Sequence, residues 1–189
     1  GCARNPQKAV EVNVRGTLNV LEASRRAGVK KIVFASSGAV YGPRAEPIDE
    51  AAPILPTVSL YGTTKFLGEV LLSHYRDLYG IPFAALRYWG VYGPGEVHSP
   101  GIAEVIKRVE STIHGKDVVV EEVGADDRRH FLYVKDAARA TVLALSAGTT
   151  AHSVFNVAGG PDSYVTFGQF HRIIKSLHPG AGEAVFRGK

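Results

Sequence analysis

The sequence predicts an α/β fold: a doubly wound parallel sheet with a smaller mixed α/β lobe. Three observations carry this reading. Helix-period segments alternate with short strand-like runs from residue 5 to residue 86. The strand-like runs are continuously apolar, as a strand covered on both faces requires. After residue 100 the regular alternation gives way to shorter, more mixed elements.

The elements follow in order. Asn5 can cap a helix over 5–27 and Pro6 suits its first position. Val10, Val14, Leu18, Val20 and Leu21 supply apolar positions near helical spacing, and Gly28 is placed to stop it. Ile32-Val33-Phe34-Ala35 reads as a buried parallel strand that delivers Ser36 and Ser37 to its carboxyl end. Residues 38–60 hold Pro43, Pro47, Pro53 and Pro56 without a period, which predicts a long loop; loops of this length are usually functional. A helix is expected from Ser59 to Tyr79, with Leu67, Val70, Leu71 and Leu78 buried and Gly80 ending it. Phe83–Leu86 is a second buried strand, followed by a Gly/Pro-rich loop over 87–95.

Beyond residue 100 we expect a helix near 101–114, a strand at Val118–Val120, a turn at 124–127 and an extended segment over 129–132. A helix over 134–147, a strand at Ser153–Val157, a Thr166-capped helix over 167–177 and an edge strand at 183–187 complete the order. The boundary is expected at residue 99, with some segments of 100–189 returning to the sheet.

Composition narrows the function. The chain has 189 residues, 45% of them hydrophobic, enough for one sizeable core. No apolar run approaches the roughly 18 residues that span a bilayer, and no secretory leader is evident, so membrane association and secretion are not expected. Cys2 is the single cysteine, which excludes an internal disulfide and suits a reducing cytoplasm; it is read as an inert thiol. No metal-ligand spacing stands out. The net charge of +4 comes from scattered Lys and Arg with no basic stripe, so nucleic acid is not an expected partner. There is no Met, and the chain begins Gly-Cys-Ala-Arg, which reads as a piece of a longer protein.

The chemistry centres on Ser37, Tyr61 and Lys65. Tyr61 and Lys65 are four residues apart at the start of a helix and share a face. Free Tyr and Lys titrate near 10, and a nearby cation lowers a phenol by roughly 1–3 units. A Tyr so tuned can take a proton from an alcohol while hydride leaves the adjacent carbon. Ser37 would hydrogen-bond the same substrate oxygen; Ser36 ranks second for that role.

Five segments in order resemble the extended short-chain dehydrogenase/reductase superfamily, in its NAD-dependent epimerase/dehydratase branch (UDP-glucose 4-epimerase-like). They are NVRGTLNVLEA, KIVFASSGAVYG, SLYGTTKFLGE, LRYWGVYGPG and RRHFLYVKDAARA. The resemblance implies a Rossmann-type sheet, tightly held NAD, a nucleotide-sugar substrate, a cytoplasmic enzyme and a homodimer. It implies Tyr61 as acid/base, Lys65 as its partner and ribose ligand, and Ser37 as the substrate-oxygen ligand. Asn13 and Trp89 would line the cofactor pocket, and Gly38, Gly90 and Arg129 the substrate, with Arg129 on the nucleotide's phosphates. A satisfied helix Asn, a core Trp and a surface Arg are the structural alternatives for Asn13, Trp89 and Arg129.

Departures from the pattern bear on substrate. Gly90 stands where the family usually has Asn, and His130 and Lys135 each stand where it has Asp. Gly38-Ala39 replaces the acidic pair of the dehydratases, which favours an epimerase or a reductase. No G-x-x-G-x-x-G occurs in the chain. By the resemblance, Gly1 falls after the family's first four strands, so only the second half of the nucleotide-binding domain is expected here. These residues alone are expected to be inactive. The residues that choose NAD over NADP fall outside the sequence too, which leaves NADP open. Beside the epimerase stand two alternatives: a reductase or dehydrogenase acting on another small substrate, and, for a chain complete as given, a non-catalytic domain that kept the fold.

Overall fold

In the computed structural model, which describes residues 2–43, 48–55, 59–95, 102–148 and 153–188, Asn5 caps the first helix by accepting from the Lys8 amide at 3.0 Å. Helix α1 is short, Pro6–Val10, and runs through a π-helical turn, Glu11–Arg15, into α2, Gly16–Ala27. Gly28 ends α2 in the left-handed conformation, φ 63°, where a Cβ would be strained. The first helix is therefore longer than one regular period, and its extra π residue falls beside Asn13.

Strand β1 (Ile32–Ser37) pairs in parallel with β2 (Phe83–Tyr88), and β2 with β7 (Val154–Val157), giving the order β1-β2-β7. The register sets Ser36 opposite Arg87 and Ser37 opposite Tyr88, so the carboxyl ends of β1 and β2 finish side by side. This α/β arrangement with a parallel sheet agrees with the predicted class. β2, in the middle, is buried over Phe83–Arg87, whereas β1 stands at the edge of the described sheet and is only partly buried.

Helix α3 (Leu60–Tyr79) connects β1 to β2. Ser59 caps it by accepting from the Gly62 amide at 3.2 Å, and Gly80 ends it at φ 66°. Its inward face differs from the expected one. Leu71 packs on the core, but Leu67, Val70 and Leu78 are exposed, and the buried positions are Gly62, Thr64, Gly68, Glu69, Leu72 and Tyr75. Small residues win the inner face because the helix lies close: a Cβ on Gly68 would come within 2.4 Å of the Phe34 ring. Val10, Leu18 and Val20 are likewise exposed, and α2 contributes Leu21 to the core instead. Leu21, Leu72, Tyr75, Ile81, Phe83 and Ala85 form that core, with roughly 2 kcal/mol of burial from each large apolar side chain. Pro47 and Pro56 of the long loop lie outside the described residues.

The chain divides into two compact units. One comprises Gly1–Trp89 with Ala137–Val157 and holds the three-stranded sheet; the other comprises Gly90–Asp136 with Ala158–Lys189. The second unit contains β3 (Val91–Tyr92) paired in parallel with β6 (Leu132–Tyr133). Its β4 (Val118–Glu121) pairs in parallel with β9 (Ala184–Arg187), and β5 (Arg128–His130) pairs antiparallel with β8 (Tyr164–Thr166). Helices α4 (Ile102–Glu110) and α6 (Phe167–Leu177) flank these pairs, and α5 (Val134–Ser146) carries the chain back into the first unit. Thr166 and Gln169 close a reciprocal capping box at the start of α6. Ile106, Val109, Val120, Phe131, Phe167 and Ile174 centre the second unit's core.

Candidate active site

Ser37 ends β1 and caps a short 3-10 turn over Gly38–Tyr41 by accepting from the Ala39 amide at 3.2 Å. That turn abuts the first turn of α3, since a Cβ on Gly62 would meet the Ala39 carbonyl at 2.4 Å. The close approach brings Tyr61 to the strand end, where the Ser37 side chain bears on its phenol. Lys65, one turn further along α3, donates to the Ala35 carbonyl at 2.8 Å. Its ammonium lies 5.7 Å from the centroid of the Tyr61 ring and 5.4 Å from that of Phe34.

The electrostatics differ from the sequence expectation. Burial pushes the Tyr61 phenol above its ordinary value, the Ser37 side chain pulls it back part of the way, and the Cys2 side chain raises it further. Lys65 does not bring the phenol toward neutrality, because its ammonium is held over the ring face by the Ala35 carbonyl. Burial lowers Lys65 in turn, while Cys2 raises it. Cys2, read as inert from the sequence, thus lies near enough to influence both groups. With burial the largest of these effects, the Tyr61 phenol is held above its ordinary value, although the residue is 39% exposed.

Asn13 reaches the site from the π turn. Its Nδ2 donates to Thr64 Oγ1 at 3.0 Å, and that hydroxyl donates to the Tyr61 carbonyl at 2.9 Å. Single π turns inside helices are frequent at functional sites; here the turn aims a polar side chain at the helix carrying Tyr61. Trp89, just past β2, stacks on Tyr41 with centroids 6.1 Å apart and an interplanar angle of 18°. Gly38 sits directly under its indole, where a Cβ would come within 2.3 Å. Ser37, Tyr61, Lys65, Asn13, Gly38 and Trp89 all belong to the first unit.

Gly90 and Arg129 belong to the second unit. Gly90 has φ +42°, its carbonyl accepts from the Leu132 amide at 3.0 Å, and a Cβ would come within 1.9 Å of the His130 carbonyl. Arg129 is exposed on β5, and one of its guanidinium nitrogens donates to the Arg128 carbonyl at 2.6 Å. His130 stacks on Tyr164 with centroids 4.5 Å apart, and burial lowers its pKa.

The family model for the NAD dependent epimerase/dehydratase family matches residues 2–158. The chain belongs to that family. Among curated relatives, the UDP-glucose 4-epimerase of Lacticaseibacillus casei is 36% identical over 173 residues, covering 82% of this chain and 51% of that protein. A solved structure of Thermus thermophilus UDP-glucose 4-epimerase complexed with NAD superposes with a TM-score of 0.83 at 32% identity, covering 98% of this chain and 61% of that one. A partial-consensus L-threonine 3-dehydrogenase superposes with a TM-score of 0.88 at 25% identity, covering 100% of this chain and 61% of that one. The chain thus spans about half the length of the curated relatives it matches, as the 51% coverage of the L. casei enzyme illustrates.

Within this epimerase/dehydratase chain the sequence reading overlooked a buried polar cluster. Ser36, ranked second to Ser37 as a substrate ligand, points into the protein and bonds Glu69. Arg87 forms a bidentate pair with Glu69 at 2.9 and 2.7 Å. Two signals could have found it. Glu69 stands among the apolar and small residues of α3, four positions after Lys65, and Arg87 closes a buried apolar strand. A charge at such a position calls for a partner. Among the described residues no group of three or more His, Cys, Asp or Glu could hold a metal ion, and no helix is long and apolar enough to cross a membrane.

Proposed function

We propose that the protein acts as an NAD-dependent nucleotide-sugar 4-epimerase on a UDP-hexose-like substrate. The observation that carries the reading is the convergence of Ser37, Tyr61 and Lys65 at the carboxyl end of β1. Ligands of open α/β sheets sit at such strand ends. The donor set suits the nicotinamide-ribose end of the cofactor: Lys65 carries three N–H donors, of which the Ala35 carbonyl takes one. NAD, when bound, supplies reversible hydride acceptance and a positive charge beside the phenol.

In this reading Lys65 and Tyr61 bind ribose hydroxyls, with Asn13 bracing the first turn of α3 through Thr64. Trp89 and Gly38 wall the pocket. Ser37 hydrogen-bonds the sugar hydroxyl and holds it against Tyr61. Tyr61, as its phenolate, takes the hydroxyl proton on oxidation of carbon 4 and returns it after the sugar has turned over, so no net redox change remains. Gly90 and Arg129 contact the nucleotide sugar, Gly90 through its backbone and Arg129 through a guanidinium fork suited to phosphate. The same reading includes a homodimer, which the exposed apolar face of Leu67, Val70 and Leu78 on α3 supports.

Incubating the protein expressed from its full reading frame with UDP-glucose and UDP-galactose in turn, with product analysis, tests the proposal. Interconversion in both directions is expected. A second reading, a dehydrogenase of the same family acting on another small substrate, is favoured by Gly90, whose close approach to His130 leaves no room for a side chain. It is also favoured by the likeness to a threonine dehydrogenase. Net cofactor reduction with L-threonine, without sugar interconversion, would select it.

A further inference from the structure

We infer that Ser36, Tyr41, Glu69 and Arg87 form a positioning network that holds Ser37 in register with Tyr61. The inference rests on the proposed use of Ser37 and Tyr61 in proton transfer.

The four side chains are sealed from solvent: Ser36, Glu69 and Arg87 are each 4% exposed and Tyr41 0%. Ser36 donates to Glu69, and Arg87 grips both Glu69 oxygens. The third Arg87 nitrogen donates to the Tyr41 hydroxyl, which donates onward to Asn156 Oδ1 at 2.9 Å. The Arg87 guanidinium also lies 4.7 Å from the centroid of the Tyr41 ring. Asn156 on β7 in turn donates to the Ile48 carbonyl at 3.1 Å, and its amide donates to Glu50 at 2.7 Å.

Stability alone does not account for such a cluster. Burying an ion pair costs desolvation that its attraction barely repays, and apolar residues of similar volume would serve as well. A bidentate guanidinium–carboxylate pair adds direction, because two parallel hydrogen bonds fix one plane against another. Here the direction falls on the three segments that carry Ser37, the Tyr61–Lys65 pair and Trp89. Ser36 precedes Ser37, and Tyr41 closes the turn that Ser37 caps. Glu69 lies one helical turn beyond Lys65, and Arg87 lies two residues before Trp89. The four are sealed from solvent and bonded to one another, so their role is placement.

The phenol of Tyr61 reports that placement. The groups that bear on it are Ser37 from β1, Lys65 from its own helix and Cys2. Ser37 is the one whose hydrogen bond lowers its pKa, so loosening β1 should raise it.

Glu69→Gln strands a buried cation and can fail to fold, so the test uses Ser36→Ala and Tyr41→Phe in the protein expressed from its full reading frame. We expect kcat to fall roughly tenfold, inside the hundredfold that about an ångström of misplacement can cost. KM should stay near the parent's, and the thermal midpoint should fall by only a few degrees, the scale of one hydrogen bond lost to a buried charge. Ser36→Thr, which keeps the hydroxyl, should recover most of the rate. Independently of any substrate, the tyrosinate absorbance lost on adding Tyr61→Phe gives the Tyr61 titration on each background. Its midpoint should move upward in Ser36→Ala and Tyr41→Phe. An unmoved midpoint in both variants overturns the network, whatever their rates. A parent protein that converts no UDP-sugar overturns the epimerase reading instead, and the absorbance titration still decides the network.

Discussion

The Ser37 side chain bears on the Tyr61 phenol and opposes the effect of burial on its pKa. Two substitutions separate the proposed roles. Tyr61→Phe is expected to abolish turnover while leaving cofactor binding nearly intact, checked by product analysis beside a cofactor titration. Ser37→Ala is expected to lower kcat by about a hundredfold, the scale of losing one well-placed hydrogen bond to a reacting oxygen. It should also shift the rising, acid-side limb of the pH–rate profile to higher pH, because the group that lowers the phenol is gone. Wild-type-like turnover in Tyr61→Phe would remove Tyr61 from the mechanism.

Asn13 ties the π turn to α3 through Thr64, whose hydroxyl is almost wholly buried. Asn13→Ala removes the donor and leaves the Thr64 oxygen without that bond, a cost of about 1–2 kcal/mol. For a domain of this size the thermal midpoint should drop by roughly 2–8 °C. A part in the reaction beyond bracing α3 would show as a fall in kcat larger than the loss of folded protein. An unchanged kcat in the folded fraction would confine Asn13 to bracing α3.

What the sequence revealed and what it hid divide along physical lines. Asn5, Gly28, Ser59 and Gly80 were legible because capping depends on local chemistry. The Tyr61–Lys65 pairing was legible because helical spacing puts four-apart residues on one face. The inner face of α3 was not legible. Periodicity ranks residues by apolarity, whereas Gly62 and Gly68 are inside because the helix lies too close to Ala39 and Phe34 for a side chain. Ser36 was ranked below Ser37, but its inward bond to Glu69 was not legible, because the Glu69–Arg87 pair is contributed by two other elements. The direction of the Tyr61 shift was hidden for the same reason, since burial is a property of the whole packing.

Tyr75 donates to Glu22 at 2.6 Å and joins α3 to α2. Glu22 is held down at about 2, first by its hydrogen bond to Arg25 and then by Tyr75, from an ordinary 4.5. Tyr75 is pushed up to about 12 from 10.0, chiefly by the bond to Glu22. The signs are opposite. The Glu22 contribution is full above 4.5 and is lost as the pH falls toward 2; the Tyr75 contribution is full below 10.0 and is lost as the pH rises through 12. Tyr75→Phe should therefore lessen the alkaline loss, of which the raised Tyr61 phenol keeps a share. It should only reduce the acid loss, because Arg25 still holds Glu22. Urea midpoints at about pH 3, 7 and 11 for both proteins check this. An equally steep alkaline loss in the variant would mean that Tyr75 is not its source.

Gly90 offers the sharpest test of how far the resemblance can be carried. The family usually has Asn at this position, which invites Gly90→Asn as a restoration. The backbone conformation is no obstacle, since Asn tolerates positive φ better than most residues. The obstacle is the His130 carbonyl, 1.9 Å from where the Cβ would stand. That carbonyl belongs to β5, whose antiparallel pairing with β8 resists a shift, and the Gly90 carbonyl is itself bonded to the Leu132 amide. Gly90→Asn should therefore destabilise the second unit by about 1–3 kcal/mol, the usual cost of overpacking, rather than improve sugar-nucleotide binding. Thermal denaturation beside a UDP-sugar titration distinguishes the outcomes. A variant as stable as the parent that binds UDP-sugar more tightly would show that Gly90 is a simple loss of the family's side chain. A destabilised variant would show that β3 and β6 have closed over the position in this chain, so that recognition there uses backbone alone.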